Sequence, residues 1–236
     1  MKTASGLLAW AGLDASEATG FGLGLGFAVS FERGKLLDCL PEHFVIMNAA
    51  RTLGIECQEF GTVSHEKALE HLRDHLGRGT PVAGRLMGEM TLFAGADERG
   101  VTAGERTIPW EELEKGLFVG EGPVKTFLYT YRKTKHIPPL GIAVKKSLAE
   151  MARRFIFPEK PNRGTKAAGM LSGQGKLGWA HEPALGHGLL AAFLEEHGRG
   201  EEARFFRGMG ERLASASAGE AGALISEEKV VFSRFL

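Results

Sequence analysis

The spacing of apolar and polar positions changes several times along this chain, and each change marks an element. Residues 3–11 carry a helical spacing that Gly12 stops, since glycine takes the left-handed conformation of a helix end without steric penalty. Asp14, with Glu17 three residues on, has the form of a capping box and predicts a second short helix. Residues 21–27 then alternate glycine with Phe or Leu as a turn, and Phe27, Val29 and Phe31 follow with strand period. Pro41 opens a helix through Ile46, Ala50 and Leu53, which Gly54 ends; residues 55–60 read as a strand. Ser64 caps a helix whose Ala68, Leu69, Leu72 and Leu76 form one apolar stripe.

Short strands are expected over 81–86, 90–94 and 101–103, with a turn at 97–100. Pro109, Trp110, Glu111 and Glu112 then start a helix, the acids lying at its positive dipole end. Beyond Gly116 the character changes. Pro123, Pro138 and Pro139 bracket a basic connector carrying Tyr129 and Tyr131. Helices follow at about 140–155, 164–171, 183–196 and 201–215, the last with Ala203, Phe206, Met209 and Leu213 on one face. Residues 230–236 read as a final strand. The pattern predicts an α+β domain over 1–120 and a mainly helical one over 121–236.

Composition supports a folded chain. Of 236 residues, 43% are hydrophobic and 25% charged, which excludes disorder as the main state. The longest apolar run, residues 20–31, is glycine-rich and too short to span a bilayer. Lys2 and the brief apolar stretch after it lead to Trp10, Asp14 and Glu17 with no cleavage region, so no secretory signal is expected. Two cysteines make no disulfide framework, and a cytoplasmic location is the expectation.

Charge is uneven. Residues 1–120 hold 11 Lys and Arg against 17 Asp and Glu, residues 121–166 hold 11 against 3, and residues 167–236 hold 7 against 9. The positive middle segment faces either the acidic front half or an anionic partner. Its tyrosines among cations are one ingredient of base stacking, but the neutral chain carries no nucleic-acid motif, so nucleic acid is not expected.

The segment Leu7-Leu8-Ala9-Trp10, then Gly12 to Glu17, then Phe21-Gly22-Leu23-Gly24-Leu25-Gly26-Phe27, resembles the N-terminal domain of the butirosin-biosynthesis acyltransferase family. Gly79-Thr80-Pro81-Val82 and Ala94-Gly95-Ala96-Asp97 are similar to its later half. The resemblance covers about 115 residues and implies a papain-like (cysteine-peptidase-like) α+β scaffold followed by a helical region, with an acidic carrier protein among conceivable partners.

The departures from that family bear on chemistry. Its cysteine would stand at the start of the first helix, where this chain has Lys2-Thr3-Ala4-Ser5; its histidine would fall where Met87-Gly88-Glu89-Met90-Thr91 stands. Glu105 lies near the expected acidic partner. Without nucleophile and base, peptidase or thiol-dependent acyl transfer is not expected.

Other motifs carry bland readings. Cys39 and Cys57 read as buried and inert. Gly22, Gly24 and Gly26 lack the strand-before, helix-after order of a dinucleotide loop, so they form a close-packed turn or line a cleft with their amides. His71 and His75 have the i, i+4 spacing of a metal pair on a face expected to be solvated, with no third ligand. His181 and His187 read as structural.

The sequence therefore predicts a non-peptidase relative of papain-like acyltransferases. It would bind a small molecule or peptide in a cleft near residues 22–26, with no catalytic residue, metal or cofactor. The ligand-binding candidates are Glu17, Phe21, Gly22, Gly24, Gly26, Glu89 and Glu105. Two alternatives stand beside it. One is an acyl-transfer or amide-bond enzyme using Ser5 or a carboxylate such as Glu17 or Glu105. The other is an assembly protein docking an acidic partner through residues 121–166.

Overall fold

The computed structural model describes residues 2–117, 120–121, 124–134, 136–171 and 177–236, so Pro123, Lys135 and part of the second glycine stretch lie outside it. Helix α1 (Lys2–Ala11) buries Ala4, Leu7 and Leu8 and ends at Gly12, whose φ is +91°. Helix α2 (Glu17–Leu23) corrects the expected cap: Ser16 Oγ, not Asp14, accepts the Thr19 amide at 3.0 Å. The helix also takes in half of the expected glycine turn.

Strands β1 (Phe27–Glu32) and β2 (Lys35–Cys39) form an antiparallel hairpin, the second strand having no strong periodicity to announce it. Helix α3 (Glu42–Thr52) starts after Pro41 as read from the sequence, and β3 (Glu56–Thr62) follows. In α4 (His65–Gly77) the stripe Ala68, Leu69, Leu72 and Leu76 is buried, with Ser64 Oγ accepting the Lys67 amide. The front half continues through β4 (Val82–Leu86), β5 (Glu89–Phe93), β6 (Gly95–Ala96), β7 (Gly100–Ala103), β8 (Arg106–Pro109) and α5 (Trp110–Gly116).

The stretch read as a connector contains β9 (Gly120–Glu121) and the nine-residue β10 (Val124–Arg132). β10 lies inside a sheet of order β3-β10-β4-β5, its residues 126–132 running antiparallel to 62–56 of β3. Leu128, Tyr129, Thr130 and Tyr131 are buried there, so these tyrosines offer no stacking surface. The expected division near residue 120 therefore runs through a sheet whose central strand comes after it.

Helices α6 (Leu140–Ile156) and α7 (Gly164–Leu171) are followed by β11 (Gly178–Trp179), which pairs parallel with β2. Next come α8 (Leu185–Glu196), α9 (Gly200–Ser215) and α10 (Ala218–Phe232) with a 3-10 turn over Ser233–Phe235. The C-terminal strand expected at 230–236 is thus helical. Ser217 and Glu220 form a capping box at the start of α10, and Ile225, Val231 and Phe232 pack into the core from its length. Among the described residues no helix is long and apolar enough to cross a membrane.

One large apolar cluster joins α1, α2 and β1 to α6 and the helices after it; a smaller one lies under α4, β4 and α5. The architecture is mixed α+β, with helices more abundant than strands. His71 departs from its solvated reading: its ring stacks on Phe60 with centroids 4.3 Å apart, and Nε2 meets Thr130 Oγ1 at 2.9 Å. Burial, with the neighbouring His75 charge, pushes its pKa down to about 4.

Candidate functional site

The N-terminus of α1 is pinned between α3 and β5. Thr3 Oγ1 donates to the Met90 backbone oxygen at 2.7 Å, and the Thr3 amide donates to Glu42 Oε1 at 3.2 Å. These bonds bring the starts of α1 and β5 together around a recess of about 480 Å³. Its charged rim consists of Lys2 and Arg85 against Glu17, Glu42 and Glu89, with His43 between them. Burial, helped by Arg85 and opposed by Glu59, pushes the His43 imidazole down and favours its neutral form. Both signs of charge thus line one polar hollow, a surface suited to a zwitterion.

Two of the sequence candidates, Glu17 and Glu89, share this recess. The others do not. Phe21 and Gly22 are buried inside α2, and a Cβ on Gly22 would collide with the Phe193 ring. A Cβ on Gly24 would strike the Val45 side chain and its backbone oxygen, and one on Gly26 would strike Phe21. Gly22 and Gly24 serve close packing of α2 against α8 and α3, Gly26 packs on Phe21, and none of the three lines the recesses described here. Glu105 is exposed in the turn between β7 and β8 and lines none of the recesses described here. Ser5 Oγ donates to the Lys2 backbone oxygen at 3.0 Å. Ser5 and Glu105 do not join Glu17 in lining this recess.

Leu25, from the same turn, is buried in the core but contributes to the walls of two recesses. Its φ of +52° turns the chain beside these adjoining recesses of about 280 and 440 Å³, which share Leu25, Arg153 and Arg154. Arg51, Lys146 and Arg163 add positive charge, and Phe27, Val29 and Phe157 supply an apolar wall. Glu150 holds both arginines, at 2.8 Å from Arg153 and 2.7 Å from Arg154. Those hydrogen bonds, that of Arg153 first, pull its carboxyl down to about 2 despite partial burial.

The sequence did not reveal a buried ionic chain behind these surfaces. Asp38 on β2 accepts both the backbone amide of His187 at 3.0 Å and its Nδ1–H at 2.6 Å, while Nε2–H points to Glu228 of α10 at 2.6 Å. All three side chains are at most 1% exposed. Burial alone would lower the His187 pKa; the two carboxylates outweigh it and hold the ring protonated, at about 9. Burial in turn raises Glu228. Gly186 makes the approach possible, since a Cβ there would collide with the Asp38 backbone oxygen. His187 is fully buried in this chain of contacts, and its two acidic partners carry no local signal in the sequence.

Beside this chain, Cys39 Sγ lies 3.3 Å from His181 Nε2. Burial and the adjacent Asp38 charge push the Cys39 thiol up to about 12, and burial with Glu59 pushes Cys57 up to about 11. A nucleophilic cysteine needs the opposite shift. Cys39 lines none of the three recesses above.

Comparison of the sequence with protein-family models gives no match, and comparison with curated proteins gives none either.

Proposed function

We propose that this protein is a non-peptidase relative of papain-like acyltransferases that binds an aminoacyl or peptide ligand in the recess between α1, α3 and β5. The observation that carries the reading is the meeting of Lys2 and Glu89 in one hollow. In the family that the chain resembles, the first helix start and this strand start supply the thiol and its base. Here the same two places hold an ammonium and a carboxylate. A thiolate–imidazole pair transfers acyl groups; a Lys–Glu pair with Arg85 and Glu17 nearby offers complementary charges to an amino and a carboxylate group.

Thermal-shift titration with dipeptides, for example glycyl-phenylalanine and its C-terminal amide, tests the reading. Saturation at a hundredfold excess over Kd stabilises the native state by about 2.7 kcal/mol. The dipeptide is expected to raise Tm more than the amide, Lys2→Ala and Glu89→Gln to remove the shift, and Glu105→Gln to keep it. Absence of a shift across a dipeptide panel, or one that survives the Lys2→Ala and Glu89→Gln pair, rejects the assignment.

A second reading rests on the Arg153 and Arg154 recess. Its five cations come mostly from residues 121–166, which fits docking of an acidic partner such as a carrier protein. Binding of an acidic carrier should weaken steeply with salt and with Arg153→Ala. Salt-independent binding argues against it.

A further inference from the structure

Away from that recess, one cluster presents more ligand atoms than the fold uses. Asp38 and Cys39 end β2, and His181 follows β11, the strand paired beside β2. Together they bring a carboxylate oxygen, a sulfur and an imidazole nitrogen within 4.8 Å of one another.

The hydrogen bonds identify the tautomer. His181 Nδ1 lies 2.8 Å from the Glu182 backbone oxygen, which can only accept, so Nδ1 carries the hydrogen. Nε2 is then an acceptor and receives the Asp38 amide in a long bond of 3.4 Å. Facing it at 3.4 Å is Asp38 Oδ1, which is buried and accepts no hydrogen bond. Two lone-pair atoms turned towards each other at the edge of a protein interior are unfavourable, and a cation between them reverses the sign of the interaction.

The separations have the right scale. Bonds of about 2.0–2.3 Å to a tetrahedral zinc ion place neighbouring donors roughly 3.3–3.8 Å apart. Here Sγ to Nε2 is 3.3 Å and Nε2 to Oδ1 is 3.4 Å. The donor set, sulfur with nitrogen and oxygen, suits a borderline metal rather than calcium or magnesium. Both outer partners that metal ligands ordinarily have are in place: Glu182 orients the imidazole, and His187 holds Asp38 Oδ2.

We propose that Asp38, Cys39 and His181 form a binding site for a zinc-type divalent ion, its fourth position taken by water beside the partly exposed imidazole. Binding replaces the Cys39 S–H bond with a metal–sulfur bond and releases one proton to solvent. Carboxylate and thiolate together balance the charge of the ion. The metal ties the end of β2 to the segment leading into α8. The site is separate from the recess assigned to the ligand, so either assignment can fail alone.

The test is titration of the reduced, chelator-treated full chain with Co²⁺. One equivalent is expected to give a thiolate-to-cobalt charge-transfer band, which Zn²⁺ abolishes by displacement. Cys57→Ser leaves Cys39 as the only thiol in the chain, so the band surviving there assigns the sulfur. Cys39→Ser should lose it, and His181→Ala should weaken Co²⁺ binding about tenfold or more. No thiolate band in the wild type, or a band absent from Cys57→Ser, overturns the proposal and leaves an Asp38–His181 contact beside a buried thiol.

Discussion

Replacing His187 with alanine is expected to cost about 3–5 kcal/mol of folding stability, read as a lower urea midpoint at unchanged slope. The imidazolium bridges Asp38 and Glu228 at 2.6 Å on each side, in a place with almost no solvent. Removing it leaves two carboxylates buried without their shared counter-charge and opens a cavity against Phe27, whose ring meets the imidazole edge-on with centroids 4.9 Å apart. Natural domains have only about 5–15 kcal/mol in total, so this one change consumes a large share. Glu228→Gln keeps an acceptor for Nε2–H and should cost distinctly less. Equal, small losses from both variants would show that the ionic chain contributes nothing to stability.

Gly24→Ala is the second large effect expected, a loss of about 3 kcal/mol. Its new methyl meets the Val45 backbone oxygen, which moves only if α3 moves. Gly22→Ala meets the Phe193 ring instead and should cost about 1–3 kcal/mol. A compensating change separates the two: Phe193→Leu should relieve Gly22→Ala and leave Gly24→Ala unaffected. If all three glycine-to-alanine changes over residues 22–26 were tolerated but abolished ligand binding, these glycines would serve a ligand after all.

How far the chain could be read depended on whether an element carried its own signal. α3 follows Pro41 and α4 shows one clean stripe after a serine cap, so both were legible. β10 was not, because a central strand is buried on both faces: Leu128, Tyr129, Thr130 and Tyr131 are consecutive buried residues with no alternation, set among flanking cations. Val230, Val231 and Phe232 have strand-forming side chains, yet they continue a helix whose cap lies at Ser217. Local propensity lost to tertiary packing there.

The site divides in the same manner. Glu17 and Glu89 were flagged through a resemblance, and they do face one hollow. Asp38, His187 and Glu228 come from β2, α8 and α10, successive partners standing 149 and 41 positions apart in the chain. No local pattern spans such gaps, and an isolated aspartate next to a cysteine has no periodicity to distinguish it.

The position of β10 has a consequence for synthesis on the ribosome. β3 and β4 are made early, yet until residues 124–132 leave the exit tunnel β3 has no strand partner in the sheet and β4 has only β5. Until then the nascent chain displays two open backbone edges, with the apolar undersides of α4 and β4 only partly covered. The interval before that strand arrives is when this protein is most exposed to mispairing with another copy of itself, and closure of the sheet is paced by translation as much as by the chain's own collapse.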